Sequence, residues 1–176
     1  MNTPGLSLTE STSLTALRAF LLSVLPPCTE VIQGQENRLP EPPDADFVVM
    51  TPILRERLET NVTTYFDRYP DAPSLKDVRQ PTKLTIQIDV HGPAGADHMQ
   101  VITTLWRDPY ACDAFAAADL DIAPLYASEP RQAPFLNEAQ QVETRWSVDL
   151  VMQVNPLVTV PQDLAQSLDI GTAGIP

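Results

Sequence analysis

Glycine is scarce in this chain, 6 of 176 residues, and cysteine scarcer, with 2. So little glycine leaves little material for close backbone approach to a phosphate. No Gly-rich phosphate loop, dinucleotide fingerprint or Gly-x-Ser-x-Gly elbow occurs. Cys28 and Cys112 lack CxxC spacing, which reads as two buried free thiols in a reducing cytoplasm. Cations are also few: 11 Lys+Arg against 23 Asp+Glu leave a net charge of -12. A nucleic-acid groove needs clustered cations that release counterions. Here the tightest groupings, Arg55/Arg57, Arg68 and Lys76/Arg79, are each interleaved with acids. No run approaches the roughly 18 apolar residues of a membrane helix. The first apolar helix candidate, Leu14 to Leu25, has no basic leader and no small-residue cleavage site, so it does not read as a signal peptide.

What the chain does have is proline, 18 residues, and long two-residue periodicities. From Gln141 to Asn155 the even positions are Val142, Thr144, Trp146, Val148, Leu150, Met152 and Val154, and the odd ones are polar except Val151. Successive strand side chains point to opposite faces, so this stretch predicts a strand of roughly 45 Å with one face in a core. That is more than twice the usual strand length. Such excess points to a sheet reaching beyond one subunit.

Taken in order, Met1 to Glu10 reads as loose. Ser13 is the expected N-cap of a helix burying Leu14, Leu17, Phe20, Leu21, Val24 and Leu25, stopped by Pro26-Pro27. Thr29 to Gln33 reads as a short strand, Gly34 to Asp46 as a proline-rich crossing, and Asp46 to Thr51 as a strand buried on both faces and closed by Pro52. Leu54 to Phe66 alternates with Leu54, Leu58, Val62 and Phe66 on one face. Tyr69 to Gln80 reads as a long tip, and Thr82 to His91 is a second strand with Leu84, Ile86, Ile88 and Val90 inward. The two strands pair most simply as a long antiparallel hairpin. A helix with His98, Val101, Ile102, Leu105 and Trp106 on one face follows. Asp108-Pro109 then starts a short helix through Phe115, and Ile122 to Phe135, with three prolines, reads as irregular. After the long strand, Gln162 to Pro176 reads as an acidic tail. The sum is a single α+β domain over residues 13–162, with a flexible N-terminus at 1–12 and a tail at 163–176. Its sheet is mainly antiparallel, with a long β-hairpin, a long C-terminal strand, and helices on one face.

Candidates for chemistry are few. His91 and His98, near Asp89 and Asp97, are the only metal-like grouping, but their spacing spans a Gly-Pro break, so a solvent-facing strand end and a helix-start His explain them better. Asp119 and Asp121 read as a solvated charge run rather than an acid/base pair. Asn61-Val62-Thr63 matches the glycosylation sequon, which means little without a secretory signal. Trp106 and Trp146 fall on apolar faces and read as core. Arg145, between Glu143 and Ser147 on the polar face of the long strand, admits two readings of equal weight: an exposed cross-strand ion pair or a subunit contact. No catalytic, cofactor-binding or metal residue is assigned.

The segments Leu17–Pro26, Glu30–Arg38, Asp46–Pro52, Arg55–Asn61, Trp106–Asp113 (Trp-Arg-Asp-Pro-Tyr-Ala-Cys-Asp) and Pro124–Gln132, with the block from Glu138 through Arg145-Trp146 to Asn155-Pro156, resemble the neck or tail terminator proteins of long-tailed bacteriophages and prophages. The likeness covers most of residues 14–162 and is specific in combination; Cys28 departs from it, standing where a Gly after the proline pair is expected. The resemblance implies a structural, non-enzymatic virion protein assembled in the host bacterial cytoplasm. It forms a ring, commonly of six copies, that terminates the tail tube and joins it to the neck and head-completion protein. Its lumen passes double-stranded DNA without specific binding, and neither membrane nor cofactor is involved. The charge fits such a lumen, since acids repel phosphates within a Debye length of roughly 8 Å. The candidate subunit-interface residues are Arg55, Arg57, Glu59, Glu143, Arg145 and Asp149. Two other readings compete: a small soluble protein-binding adaptor without enzymatic activity, gripping a partner through its proline-rich loops, and, more distantly, an enzyme around His91/His98.

Overall fold

Residues 3–35, 46–68, 71–136 and 142–163 are described by the structure, a computed structural model. In chain order it runs β1 (Gly5–Leu6), α1 (Glu10–Val24), β2 (Glu30–Gln33), β3 (Phe47–Arg57), β4 (Val62–Phe66), β5 (Leu75–Arg79), β6 (Thr82–His91), α2 (Gly95–Trp106), α3 (Pro109–Ala117), β7 (Ile122–Ala127), β8 (Arg131–Gln132), β9 (Phe135–Leu136), β10 (Val142–Glu143), β11 (Arg145–Val154) and β12 (Leu157–Pro161). The fold is α+β. A six-stranded sheet has the order β2-β3-β6-β11-β7, with β8 also on β11; a four-stranded sheet has the order β1-β12-β5-β4; β9 and β10 pair separately. Only β2 with β3 is parallel among these pairings.

Alternation in β6 and β11 sets the core. Leu84, Ile86 and Ile88 lie opposite Met152, Leu150 and Val148, so these side chains share one face of the sheet, and all six are fully buried. The three helices cover this face and lock together through Phe20, Trp106 and Phe115, whose ring centroids lie 5.5 to 5.9 Å apart. Trp106 Nε1 also donates to the Tyr126 carbonyl at 3.0 Å, satisfying the one polar atom of a buried indole.

Helix starts follow local chemistry. Asp108 caps α3 by accepting from Tyr110 N at 2.9 Å, with Pro109 in the first turn. The cap of α1 is Thr9, which accepts from Thr12 N at 3.1 Å; Ser13, the expected cap, is instead buried in the helix. Residues expected to be loose therefore begin the helix at Glu10 and supply β1, which pairs with β12. In α2 the buried face is Met99, Ile102, Thr103 and Trp106, so the helix is rotated from the expected one and Val101 points outward. Apolar residues at 99, 101, 102, 105 and 106 span too wide an arc for their pattern to fix its rotation. Gly92, at φ 96, makes the turn that leads from β6 towards α2.

The long strands continue through their prolines. β11 starts at Arg145, later than expected, but the chain resumes as β12 after Asn155-Pro156, and its partner β6 continues backwards as β5 across Gln80-Pro81. The register does not slip: Val154 lies opposite Thr82, and Leu157 opposite Arg79. Gln80 N donates to the Pro156 carbonyl at 3.2 Å across the corner. Residues 75–91 and 145–161 thus form one ribbon, about 55 Å of strand path, that passes between two sheets at Pro81 and Pro156, neighbours across the corner that cannot donate to a ladder. The hairpin's first arm bends alongside. β3 pairs with β6 down to Arg57, β4 pairs with β5 from Val62, and Leu58–Asn61 make the corner, where Leu58 N donates to the Pro81 carbonyl.

Four expectations are corrected here. β3 does not stop at Pro52 but passes it with a bulge between Pro52 and Leu54. Leu75–Arg79 is strand rather than tip. Ile122–Ala127 is an ordered outer strand that carries Pro124 where β11 shows a register shift. Cys28 and Cys112 are free but exposed, one after the proline pair and one on the outer side of α3. Most of the Gly34–Asp46 crossing, the start of the expected strand at Gln141 and nearly all of the C-terminal tail lie outside the described residues.

Candidate assembly surfaces

The four-stranded sheet, hereafter the arm, is bare. No helix packs over it among the described residues. From the register, Val62 and Phe66 lie on one face with Leu75 and Leu157, and Tyr65 lies on the other with Val78, Val158 and Leu6. Val62, Tyr65, Phe66, Leu6 and Val158 are between 37 % and 58 % exposed, as are Ile53, Leu54 and Leu58 at the root and corner. A sheet with apolar side chains on both faces ordinarily needs a layer on at least one of them. Its outer strand β4, Val62-Thr63-Thr64-Tyr65-Phe66, is exposed at all five positions and has no charge and no proline. Those are the guards that usually keep a free edge from pairing with another chain.

The second surface is the polar face of the six-stranded sheet. Asp89, buried on β6, accepts from Gln87 Nε2 at 2.8 Å and from the Ser147 hydroxyl, and lies 3.9 Å from Arg145 Nε. Arg145 Nε also donates to the Ala133 carbonyl at 3.1 Å. Asp149 is 3.7 Å from Arg131, and its N–H donates to Ser128 Oγ at 2.9 Å. His91 stacks on Phe47 with centroids 4.4 Å apart. Burial holds the His91 pKa below the usual histidine value; Asp89 and Glu143 oppose that shift and Arg145 adds to it. Val151, the lapse in the strand's alternation, is buried on this same face, opposite Tyr126 of β7.

The six candidate interface residues therefore do not form one site. Arg55, Arg57 and Glu59 lie exposed along the end of β3 and the corner leading to the arm, and Arg55 reaches Glu10 of α1 at 3.2 Å. Glu143, Arg145 and Asp149 lie on the body, where Arg145 and Asp149 have partners within the chain and Glu143 sits near His91. Sequence reasoning missed that Ser147 bonds Asp89, the carboxylate beside Arg145; the cross-strand pairing of Asp89 and Ser147 was the available signal. It also assigned Leu54, Leu58, Val62 and Phe66 to an apolar face without seeing that, among the described residues, no helix covers that face. Among the described residues no three His, Cys, Asp or Glu side chains gather as metal ligands, and no helix is long and apolar enough to cross a membrane.

The helix-covered body thus continues through its central strands into a second sheet that carries no helix among the described residues. A family model described as "Phage neck terminator protein" matches residues 11–175, and the chain belongs to that family of structural phage neck proteins. Membership makes it a virion component that contacts other head or tail proteins. The search of curated proteins returns no match.

Proposed function

We propose that this chain closes into a ring of about six copies that terminates the tail tube, joins it to the neck and head-completion proteins, and passes double-stranded DNA. It carries out no chemistry on a ligand. The observation that carries this reading is the arm: apolar on both faces, without a helical cover among the described residues, and continuous with the two central strands of the body. A head-to-tail ring requires two different complementary surfaces on each subunit, and an arm that projects from a globular body supplies one half of such a pair. The net charge of -12 suits a conduit that DNA crosses without sticking. On this reading Arg55, Arg57 and Glu59 contact a neighbour through the arm, while Glu143, Arg145 and Asp149 present the polar face. Light scattering on the purified protein, with negative-stain images, tests the proposal by looking for closed rings. A compact monomer at high concentration that is also absent from virions refutes it.

A further inference from the structure

We infer that the apolar edge of the arm seats in a groove on the helical layer of a second copy of this chain, so that every subunit offers one arm and one groove. This rests on the ring reading above and names the two surfaces that meet.

The groove runs between α1 and α3 and encloses about 570 Å³. Its walls include Ala16 and Ala19 from α1, Ala114 from α3 and Ala118 at the C-cap of α3, and Phe20 and Phe115 also line it. Spacings of three and four residues put each alanine pair on one helical face. Side chains this small leave space for large ones from elsewhere, and the described part of this chain does not fill it. β4 carries large apolar side chains in search of a cover: Val62 and Phe66 on one face and Tyr65 on the other, all exposed. A compact aromatic and aliphatic anchor in a pocket is the arrangement that carries most of the energy in protein interfaces.

Charge selects a copy of this chain as the occupant. Six of the eleven Lys and Arg lie between Arg55 and Lys83, from the root of the arm through its outer strands, against five carboxylates, a net +1 in a chain of net charge -12. From Asp108 to Asp121, through α3 and the end of the groove, there are four carboxylates and no Lys or Arg. Asp113 and Asp119 are exposed beside Ala114 and Ala118, and Arg57 and Arg68 are exposed on either side of β4. None of these four is ion-paired among the described residues. An apolar strand flanked in the chain by Arg57 and Arg68 and an apolar groove whose lining residues Ala114 and Ala118 adjoin Asp113 and Asp119 are complementary, and the complementarity steers the encounter.

The placement also favours a second copy. The groove ends where the resident arm leaves the body: Ser11 lines it next to Glu10, which holds Arg55, and Leu120 lines it next to Asp121, which holds Arg79 at 3.6 Å. A neighbour's arm in the groove thus reaches the root of the resident arm, and contacts can run on from one subunit to the next. Because the arm and the groove differ, each contact leaves one of each unused, and growth continues until the ring closes.

Two kinds of variant test this. Ala19→Arg with Ala118→Arg fills the groove, and Val62→Asp with Phe66→Asp disables the arm; all four positions are exposed, so melting of the monomer should shift by less than about 2 °C. Each variant alone should lose ring assembly by more than about tenfold in mass photometry, a change of about 1.4 kcal/mol or more. Mixed one to one, they should form a heterodimer and nothing larger, because only one competent arm and one competent groove can meet. Groove-filled protein that assembles like wild type overturns the inference, as does a mixture that stays monomeric. If rings close only on the tail, recovery of each variant in virion necks is scored instead, with normal recovery of the groove-filled protein overturning it. Wild type that is monomeric and absent from virions refutes the ring reading itself, a result distinct from wild-type rings indifferent to the groove.

Discussion

The two larger sheets of this molecule share one continuous ribbon but not surroundings. In the body, Leu84, Ile86, Ile88, Val148, Leu150 and Met152 lie beneath three helices and are fully buried. Past Pro81 and Pro156, the same ribbon carries Val158 and borders Val62, Tyr65 and Phe66, all exposed. Sequence chemistry does not separate the two regions, since both are rich in β-branched and aromatic residues with strand propensity. The difference lies in which one has a helical cover among the described residues. At roughly 25 cal/mol per Å² of apolar surface removed from water, the body realises its burial on folding, and the arm retains that driving force for association.

Substitutions sharpen this contrast, and the largest effect belongs to the body. Trp106→Ala removes a buried indole that contacts Phe20 and Phe115 edge-on and donates to the Tyr126 carbonyl. Urea unfolding should show a loss of about 3–5 kcal/mol in the monomer. Next is Arg145→Glu, which sets a second carboxylate beside buried Asp89. It should cost the monomer about 1–2 kcal/mol, so any assembly defect has to be measured against that loss; an unchanged monomer would show that the intrachain contacts of Arg145 contribute nothing.

His91 provides a pH handle on the body alone. Its pKa is lowered in the fold, so the unfolded chain binds the proton more readily. Its contribution is fully present above the ordinary histidine pKa of about 6.5 and is lost as pH falls from there through the lower folded value. The urea midpoint of wild type should therefore fall more between pH 7.5 and pH 5.5 than that of His91→Gln. Equal falls would contradict the assignment. The smallest effect on the monomer belongs to the arm: Val62→Asp with Phe66→Asp should change its stability by less than about 0.5 kcal/mol while abolishing rings. A large loss of monomer stability would show that the arm is packed against its own subunit and erase the distinction between the sheets.

How much of this was legible in the sequence depends on what each pattern reports. The alternations at Thr82–His91 and Arg145–Val154 gave the inward residues correctly, and Asp108-Pro109 marked the start of α3, because both signals are local. The alternation of Leu54, Leu58, Val62 and Phe66 reported a face to be covered but carries no information about which molecule covers it. Pro52 and Pro156 read as strand ends and Pro124 as part of an irregular stretch, yet strand pairing resumes beyond each of them, at Pro52 and Pro124 with irregular register and at Pro156 across a corner shared with Gln80-Pro81. That placement depends on the partner strand. The Asp89–Ser147 contact joins residues far apart in the chain, and the groove between α1 and α3 depends on how two helices lie side by side, which alanines at helical spacing do not specify.

Amide hydrogen exchange, compared between assembled and monomeric protein, tests the central claim most directly. The account predicts that β6 and β11 in the body are equally protected in both states, while the amides of Val62–Phe66 slow by at least about a hundredfold on assembly. Exchange of β4 that is the same in monomer and assembly would show that the arm meets no neighbour and contradict the account.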